Sequence, residues 1–240
     1  MYKRQGLEVA QLERIVSSLA KAARQAGVKV VAGDTKVLRR GEGGGLYLAT
    51  TGIGTRDPSF RLGLDEIRDG DALLVSGSVG DHGISVLLAR EQFGLRGDLQ
   101  SDSASVLPLT RALSGMAGVR FMRDPTRGGL ATVCHELIRT TGMGIRIMQA
   151  NIPISDPVQS VCDMLGYDPL FLACEGRVVA IVDPNEAEQV QTKWRSLPDG
   201  KDAVIIGHID SSLSQVILQT ALGGERFLEE LEDDPLPRIC

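Results

Sequence analysis

A chain of 240 residues with 42% hydrophobic side chains is long enough to bury a core, in one large domain or two modest ones. Aromatics at 4% and 28 glycines make that core aliphatic and the chain rich in turns, which suits a loop-rich α/β enzyme better than a helical bundle. A net charge of −5 with both signs mixed leaves no basic stripe for nucleic acid, and no apolar run has the length to span a bilayer.

In chain order, Leu12, Ile15, Val16 and Leu19 recur at helical spacing, which predicts a helix from about Leu7 to Ala26 with Gly27 ending it. A sheet domain seldom opens on a helix, so preceding sequence is expected to be absent. Val28 to Ala32 is a continuous apolar run that reads as a buried strand, stopping at Gly33-Asp34-Thr35-Lys36. The glycine cluster Gly41 to Gly45 reads as a hairpin loop, followed by a second strand from Leu46 to Ile53. A domain boundary is expected within the polar stretch from Arg56 to Asp71.

Asp71 to Ser76 then predicts a strand, Gly77 to Gly83 a loop, Ile84 to Phe93 a helix, and Gly94 to Ser105 a polar surface loop. Asp124-Pro125-Thr126-Arg127-Gly128-Gly129 precedes an amphipathic helix carrying Leu130, Val133, Cys134, Leu137 and Ile138 on one face, with Gly142 as its stop. Arg177–Val182, Ala203–Ile209 and Gln215–Gln219 read as strands, and the tail beyond Leu231 shows no periodic pattern. Cysteines at 134, 162, 174 and 240 form no CxxC pair, and with no signal peptide the reading is a reduced, cytoplasmic protein. Cys134 and Cys162 fall in apolar patterns and read as small buried hydrophobes.

Several positions combine chemistry with a suitable setting. Asp34, Thr35 and Lys36 put an acid, a hydroxyl and a cation at a strand end, where Lys36 suits a phosphate and Asp34 suits either Mg²⁺ or the orienting of Lys36; an ordinary turn with a surface lysine is the plainer alternative. Asp124 to Gly129 sits where a helix start favours phosphate, with Arg127 to pair with it and Asp124 to hold a cation. A simple cap with Thr126 at the N-cap accounts for less of the motif. His82 is either a general base or a loop histidine without a role. Glu175, among small apolar neighbours, is either a base of raised pKa or an exposed turn residue. Cys240 closes a tail stiffened by two prolines, with Arg238 near enough to favour thiolate, against the alternative of a disordered end. Neither GxxxxGK[ST] nor GxGxxG occurs.

Taken together, Gly33-Asp34-Thr35-Lys36, Asp124 through Gly129, Glu175-Gly176 and the ending Pro235-Leu236-Pro237-Arg238-Ile239-Cys240 resemble the HypE family of hydrogenase maturation proteins. That family lies in the superfamily of aminoimidazole ribonucleotide synthetase and selenophosphate synthetase. The likeness runs from about Leu7 to Cys240, and the Pro-Arg-Ile-Cys ending is its most specific part. The resemblance implies an α/β (α+β), PurM-like two-domain architecture: 1–65 as the remainder of an incomplete ATP-binding domain, 66–230 as a mixed sheet packed with helices, and 231–240 as a flexible tail.

The resemblance also implies a reaction. A HypF-type carbamoyltransferase loads Cys240, ATP drives dehydration of the thiocarboxamide to thiocyanate, and the cyano group passes to iron on a HypC–HypD scaffold for a [NiFe]-hydrogenase. Cys240 is then the carrier, Lys36 and Glu175 line the dehydration site, and His82 is a further catalytic candidate. Asp34, Thr35, Thr126, Arg127, Gly128 and Gly129 are the nucleotide-site candidates, with Asp34 and Asp124 for Mg²⁺. A homodimer is implied as well. Met1 to Gln5 do not match the family, so the chain is expected to lack its N-terminal segment, with the acidic residues, strands and dimer contacts found there. Two other readings stand beside this one: another ATP-dependent phosphoryl-transfer synthetase of the superfamily, and an inactive fragment that serves only in docking.

Overall fold

A computed structural model describes residues 6–39, 42, 45–55, 57–58, 60–90 and 99–231. The chain divides by internal contact into two units, residues 1–55 and 56–240.

In the first unit, helix α1 (Val9–Ala26) ends as its glycine requires. Gly27 takes φ 70°, its N–H donates to Arg24 O at 3.1 Å, and the Val28 N–H donates to Ala23 O at 3.0 Å. This paired closure satisfies carbonyls that the helix end leaves open. The strands expected at Val28–Ala32 and Leu46–Ile53 do not form, and both runs are exposed, with Val31 at 90% and Ile53 at 98%. Their composition suits strands, but a strand exists through its ladder, and neither run finds a ladder partner among the described residues. Most of the expected hairpin loop at Gly41–Gly45 lies outside the described residues.

The second unit is built on a sheet that has seven strands among the described residues: β1 (Ala72–Val75), β2 (Val119–Arg123), β3 (Gly144–Met148), β4 (Val179–Val182), β5 (Val204–Asp210), β6 (Val216–Gln219) and β7 (Glu225–Phe227). Their order is β2-β4-β1-β5-β3-β6-β7, antiparallel except for the β3–β6 pair. The centre is apolar on both faces. Leu73, Val75, Val179 and Ile181 join the cluster beneath α4 (Gly129–Thr141), while Ala72, Leu74, Ala180 and Val182 join the opposite cluster. Both faces are covered, so β1 and β4 read as unbroken apolar runs rather than alternating ones.

The opposite face is covered by α3 (Leu107–Ala112) and α6 (Ala187–Arg195), whose Trp194 is fully buried and donates its indole N–H to Leu109 O at 3.0 Å. A third cluster, Ile84, Leu87, Val158, Cys162 and Leu172, joins α2 (Asp81–Ala89) to α5 (Asp156–Leu165). Helix α2 starts three residues before the expected Ile84, because Gly80 at φ 86° turns the chain into it. Asp81 and His82 therefore stand in a first helical turn and not in a loop. Beyond Arg90 the expected end of this helix lies outside the described residues. Among the described residues no helix is long and apolar enough to cross a membrane.

Candidate functional site

The start of α4 is set by two left-handed glycines, Gly128 at φ 68° and Gly129 at φ 61°. A Cβ on Gly129 would lie 2.5 Å from Leu170 O and 2.6 Å from Leu172 O, so the residue permits two backbones to cross there. The N-cap is Gly128, which corrects the alternative that gave this place to Thr126. The Thr126 hydroxyl donates to Asp124 Oδ2 at 3.0 Å instead, because the glycine turn has already closed the helix start. Asp124 is exposed and lies 3.6 Å from the Arg123 guanidinium; Arg127 is exposed as well.

The segment Cys174-Glu175-Gly176-Arg177 is stitched to that helix start. The Cys174 N–H donates to Pro125 O at 3.0 Å, and Cys174 Sγ accepts from the Gly80 N–H at 3.3 Å, so the approaches to α4 and α2 meet at this residue. Burial pushes the Cys174 thiol up to about 12, which leaves it a neutral structural group. Glu175 projects an exposed side chain, so the apolar enclosure behind the raised-pKa reading is absent. Its N–H donates to Asp102 Oδ1 at 3.0 Å.

Behind Glu175 lies a buried charge cluster. Arg177 donates through Nε to Ser78 O at 2.9 Å and through Nη2 to Ser78 Oγ at 3.2 Å, and it stands 3.5 Å from both Asp81 and Asp102. Asp81 accepts from the Ser78 hydroxyl and, at 2.8 Å, from the Ser155 hydroxyl. Burial raises the Asp102 carboxyl above the usual carboxylate range; the Glu175 N–H and the Arg177 guanidinium offset this only in part. His82 Nδ1 lies 2.8 Å from the Ser101 hydroxyl and is thereby fixed beside the segment that carries Asp102.

The structure thus brings together Asp124, Thr126, Arg127, Gly128, Gly129, Glu175 and His82 within the second unit. Asp34, Thr35 and Lys36 belong to the first unit, where all three are exposed and Asp34 Oδ1 accepts the Thr35 N–H at 2.8 Å. They do not stand at the end of a buried strand, since Val28–Ala32 forms none. Cys240 lies outside the described residues. Sequence reasoning missed Asp81, Asp102 and Arg177. Asp102 falls in the polar stretch Gly94 to Ser105 that reads as a surface loop, yet its side chain has no exposure. For a metal, no group of three or more His, Cys, Asp or Glu gathers among the described residues. Asp124 with the Thr126 hydroxyl offers the hard oxygen donors that Mg²⁺ takes when phosphate supplies further ligands.

A mixed sheet with helices on its faces, and a glycine-built helix start stitched to a carboxylate-bearing bend, define a protein of the AIR synthase class. The family model for the AIR synthase related protein C-terminal domain matches residues 68–218, and that for the N-terminal domain matches residues 2–56. Within this class, carbamoyl dehydratase HypE of Azotobacter vinelandii is 42% identical over 238 residues, which are 98% of this chain and 70% of that protein. The crystal structure of E. coli HypE aligns with a TM-score of 0.90 at 41% identity, over 98% of this chain and 73% of that one. HypE in complex with ATP gives 0.84 at 38% (96% and 71%), and a HypE–HypF complex gives 0.85 at 34% (95% and 74%). The chain belongs to the HypE family of carbamoyl dehydratases.

Proposed function

We propose that this chain is an ATP-dependent carbamoyl dehydratase of [NiFe]-hydrogenase maturation, converting a thiocarboxamide on Cys240 to a thiocyanate that supplies the cyanide ligand. The observation that carries the proposal is the Cys174 N–H to Pro125 O bond, which joins a phosphate-type helix start to the carboxylate-bearing bend at Glu175. A dehydration driven by phosphoryl transfer needs both features in one place.

The thiocarboxamide carbon carries sulfur, oxygen and nitrogen. A nitrile forms when the oxygen leaves and the nitrogen gives up both protons. ATP makes that oxygen a leaving group by phosphorylating it. In this proposal Glu175 accepts the amide protons, with His82 as a further candidate, and the Lys36 ammonium offsets charge on the phosphoryl group. Asp34, Thr35, Thr126, Arg127, Gly128 and Gly129 hold the nucleotide; Asp34 and Asp124 supply carboxylate oxygens to Mg²⁺. Cys134 and Cys174 are pushed up to about 12 and Cys162 to about 11 by burial, which makes them poor carriers and leaves Cys240 to the role.

The HypF bound to a relative supports a HypF-type transferase as the carbamoyl donor. A HypC–HypD iron scaffold as acceptor, a homodimer and a cytoplasmic setting complete the proposal. So does a division into 1–65 of the ATP-binding domain, 66–230, and a carrier tail at 231–240.

The test is to incubate the chain with ATP, carbamoyl phosphate and a HypF-type transferase, then weigh the C-terminal peptide by mass spectrometry. A carbamoyl adduct that goes on to lose water is expected. No adduct on Cys240 removes the carrier role, and an adduct that persists with ATP present removes the dehydratase. Glu175→Gln is expected to slow water loss about 100-fold or more, the usual contribution of a general base; an unchanged rate removes Glu175 as the base.

A further inference from the structure

We infer that Asp102 is a positioning residue for Glu175, gripping its backbone amide so that the carboxylate is aimed at the amide nitrogen of the substrate. The inference rests on the reading of Glu175 as the base and extends it.

The Glu175 side chain is exposed, so packing does not orient it; its aim is set by where the backbone is held. The bend is fixed on both sides of Glu175: Cys174 N–H to Pro125 O before it, and the Arg177 guanidinium to Ser78 after it. At Glu175 itself the hold comes from Asp102 Oδ1, 73 residues away in sequence. The same segment presses on the next residue, since a Cβ on Gly176 would fall 1.8 Å from Asp102 O and 3.0 Å from Ala104 N. His82 anchors the segment in turn through Ser101, whose hydroxyl also accepts the Ser103 N–H at 3.0 Å.

Fold stability does not account for Asp102. Its side chain is wholly buried, and Oδ2 makes no hydrogen bond, standing only in a 3.5 Å ion pair with Arg177 Nε. Arg177 already has Asp81 as its counter-charge, so a second carboxylate leaves two acids facing one guanidinium. A buried carboxylate with one oxygen left without a hydrogen bond, sharing its guanidinium with a second acid, adds little to a fold. What the residue supplies is one well-made bond to the amide of Glu175. Misplacement of a reacting group by about 1 Å can cost roughly 100-fold in rate.

The experiment compares Asp102→Ala, Asp102→Asn and Glu175→Gln in the full chain. It measures carbamoyl loading of Cys240, KM for ATP and the rate of water loss. Asp102→Ala is expected to slow water loss at least tenfold while loading and KM stay unchanged. Asp102→Asn keeps a carbonyl oxygen for the Glu175 N–H and is expected within threefold of the parent. Gly176→Ala, which displaces the segment from the other side, is the second variant should Asp102→Ala fail to fold, and the same selective loss is expected. Slow water loss in Glu175→Gln with parental rates in Asp102→Ala or Gly176→Ala overturns the positioning role alone. So does an Asp102→Asn variant as slow as Asp102→Ala. A parental rate in Glu175→Gln, or a parent that loads without losing water, overturns the base reading and this inference with it.

Discussion

At the scale of single residues, Asp102 is where cost and use separate, and pH exposes the cost. Asp81, His82, Glu175 and Arg177 surround its carboxyl, yet burial dominates and raises it. A folded carboxyl raised above its unfolded value contributes stability that is full below the unfolded pKa, about 3.9 for Asp. That contribution is lost as pH rises through the folded value. Asp102→Asn does not titrate, so its melting temperature relative to the parent is expected to be least favourable near pH 4 and to gain as pH rises above it. Thermal melts followed by circular dichroism at several pH values check this, and a difference that shrinks with rising pH would contradict it. Asp102 also marks the limit of legibility at this scale. Its flanking residues are Ser101 and Ser103, a surface-like context, and its partner at 175 is remote. Glu175 and His82 were legible as acid–base types, but the residue between them was not.

At the scale of elements, α4 shows a motif whose function and architecture use the same glycines. Gly129 and Gly142 both sit at positive φ, at the two ends of one helix, but only Gly129 is crowded. At either site alanine costs about 1–2 kcal/mol for the left-handed backbone. At Gly129 the added methyl also meets two backbone carbonyls that cannot swing away, whereas at Gly142 nothing lies within 4 Å. Gly129→Ala is therefore expected to be the more destabilising of the two by about 1 kcal/mol or more, measured as the shift in denaturant midpoint. Equal losses would mean that the 170–172 crossing yields. Elements that bury one clear face, such as α4, or both faces, such as β1 and β4, were legible because periodicity or an unbroken apolar run reports burial directly. Strand β3 was not, since Gly144-Ile145-Arg146-Ile147-Met148 is short and carries an arginine; nor was α6, where three buried residues, Ala187, Val190 and Trp194, are spread through a polar sequence.

At the scale of the whole molecule, the two units differ in how they meet their own needs. The second encloses three apolar clusters and pairs its strands. In the first, α1 has a helical apolar stripe with no buried residue, and the runs 28–32 and 46–53 have strand composition but no ladder among the described residues. Pairing is non-local, so strand composition in these runs did not reveal that a ladder partner is missing among the described residues. Exposed apolar segments favour association, which supports the proposed homodimer. If a second copy covers them, hydrogen exchange of the amides in 28–32 and 46–53 is expected to slow as protein concentration rises, alongside a monomer–dimer shift in sedimentation velocity. Val31→Lys, at a position 90% exposed in the single chain, is expected to move that shift to higher concentration. The emission of Trp194, sealed within the second unit, should not change. A chain that stays monomeric with fast exchange at every concentration would remove the homodimer and leave the first unit dependent on a different chain.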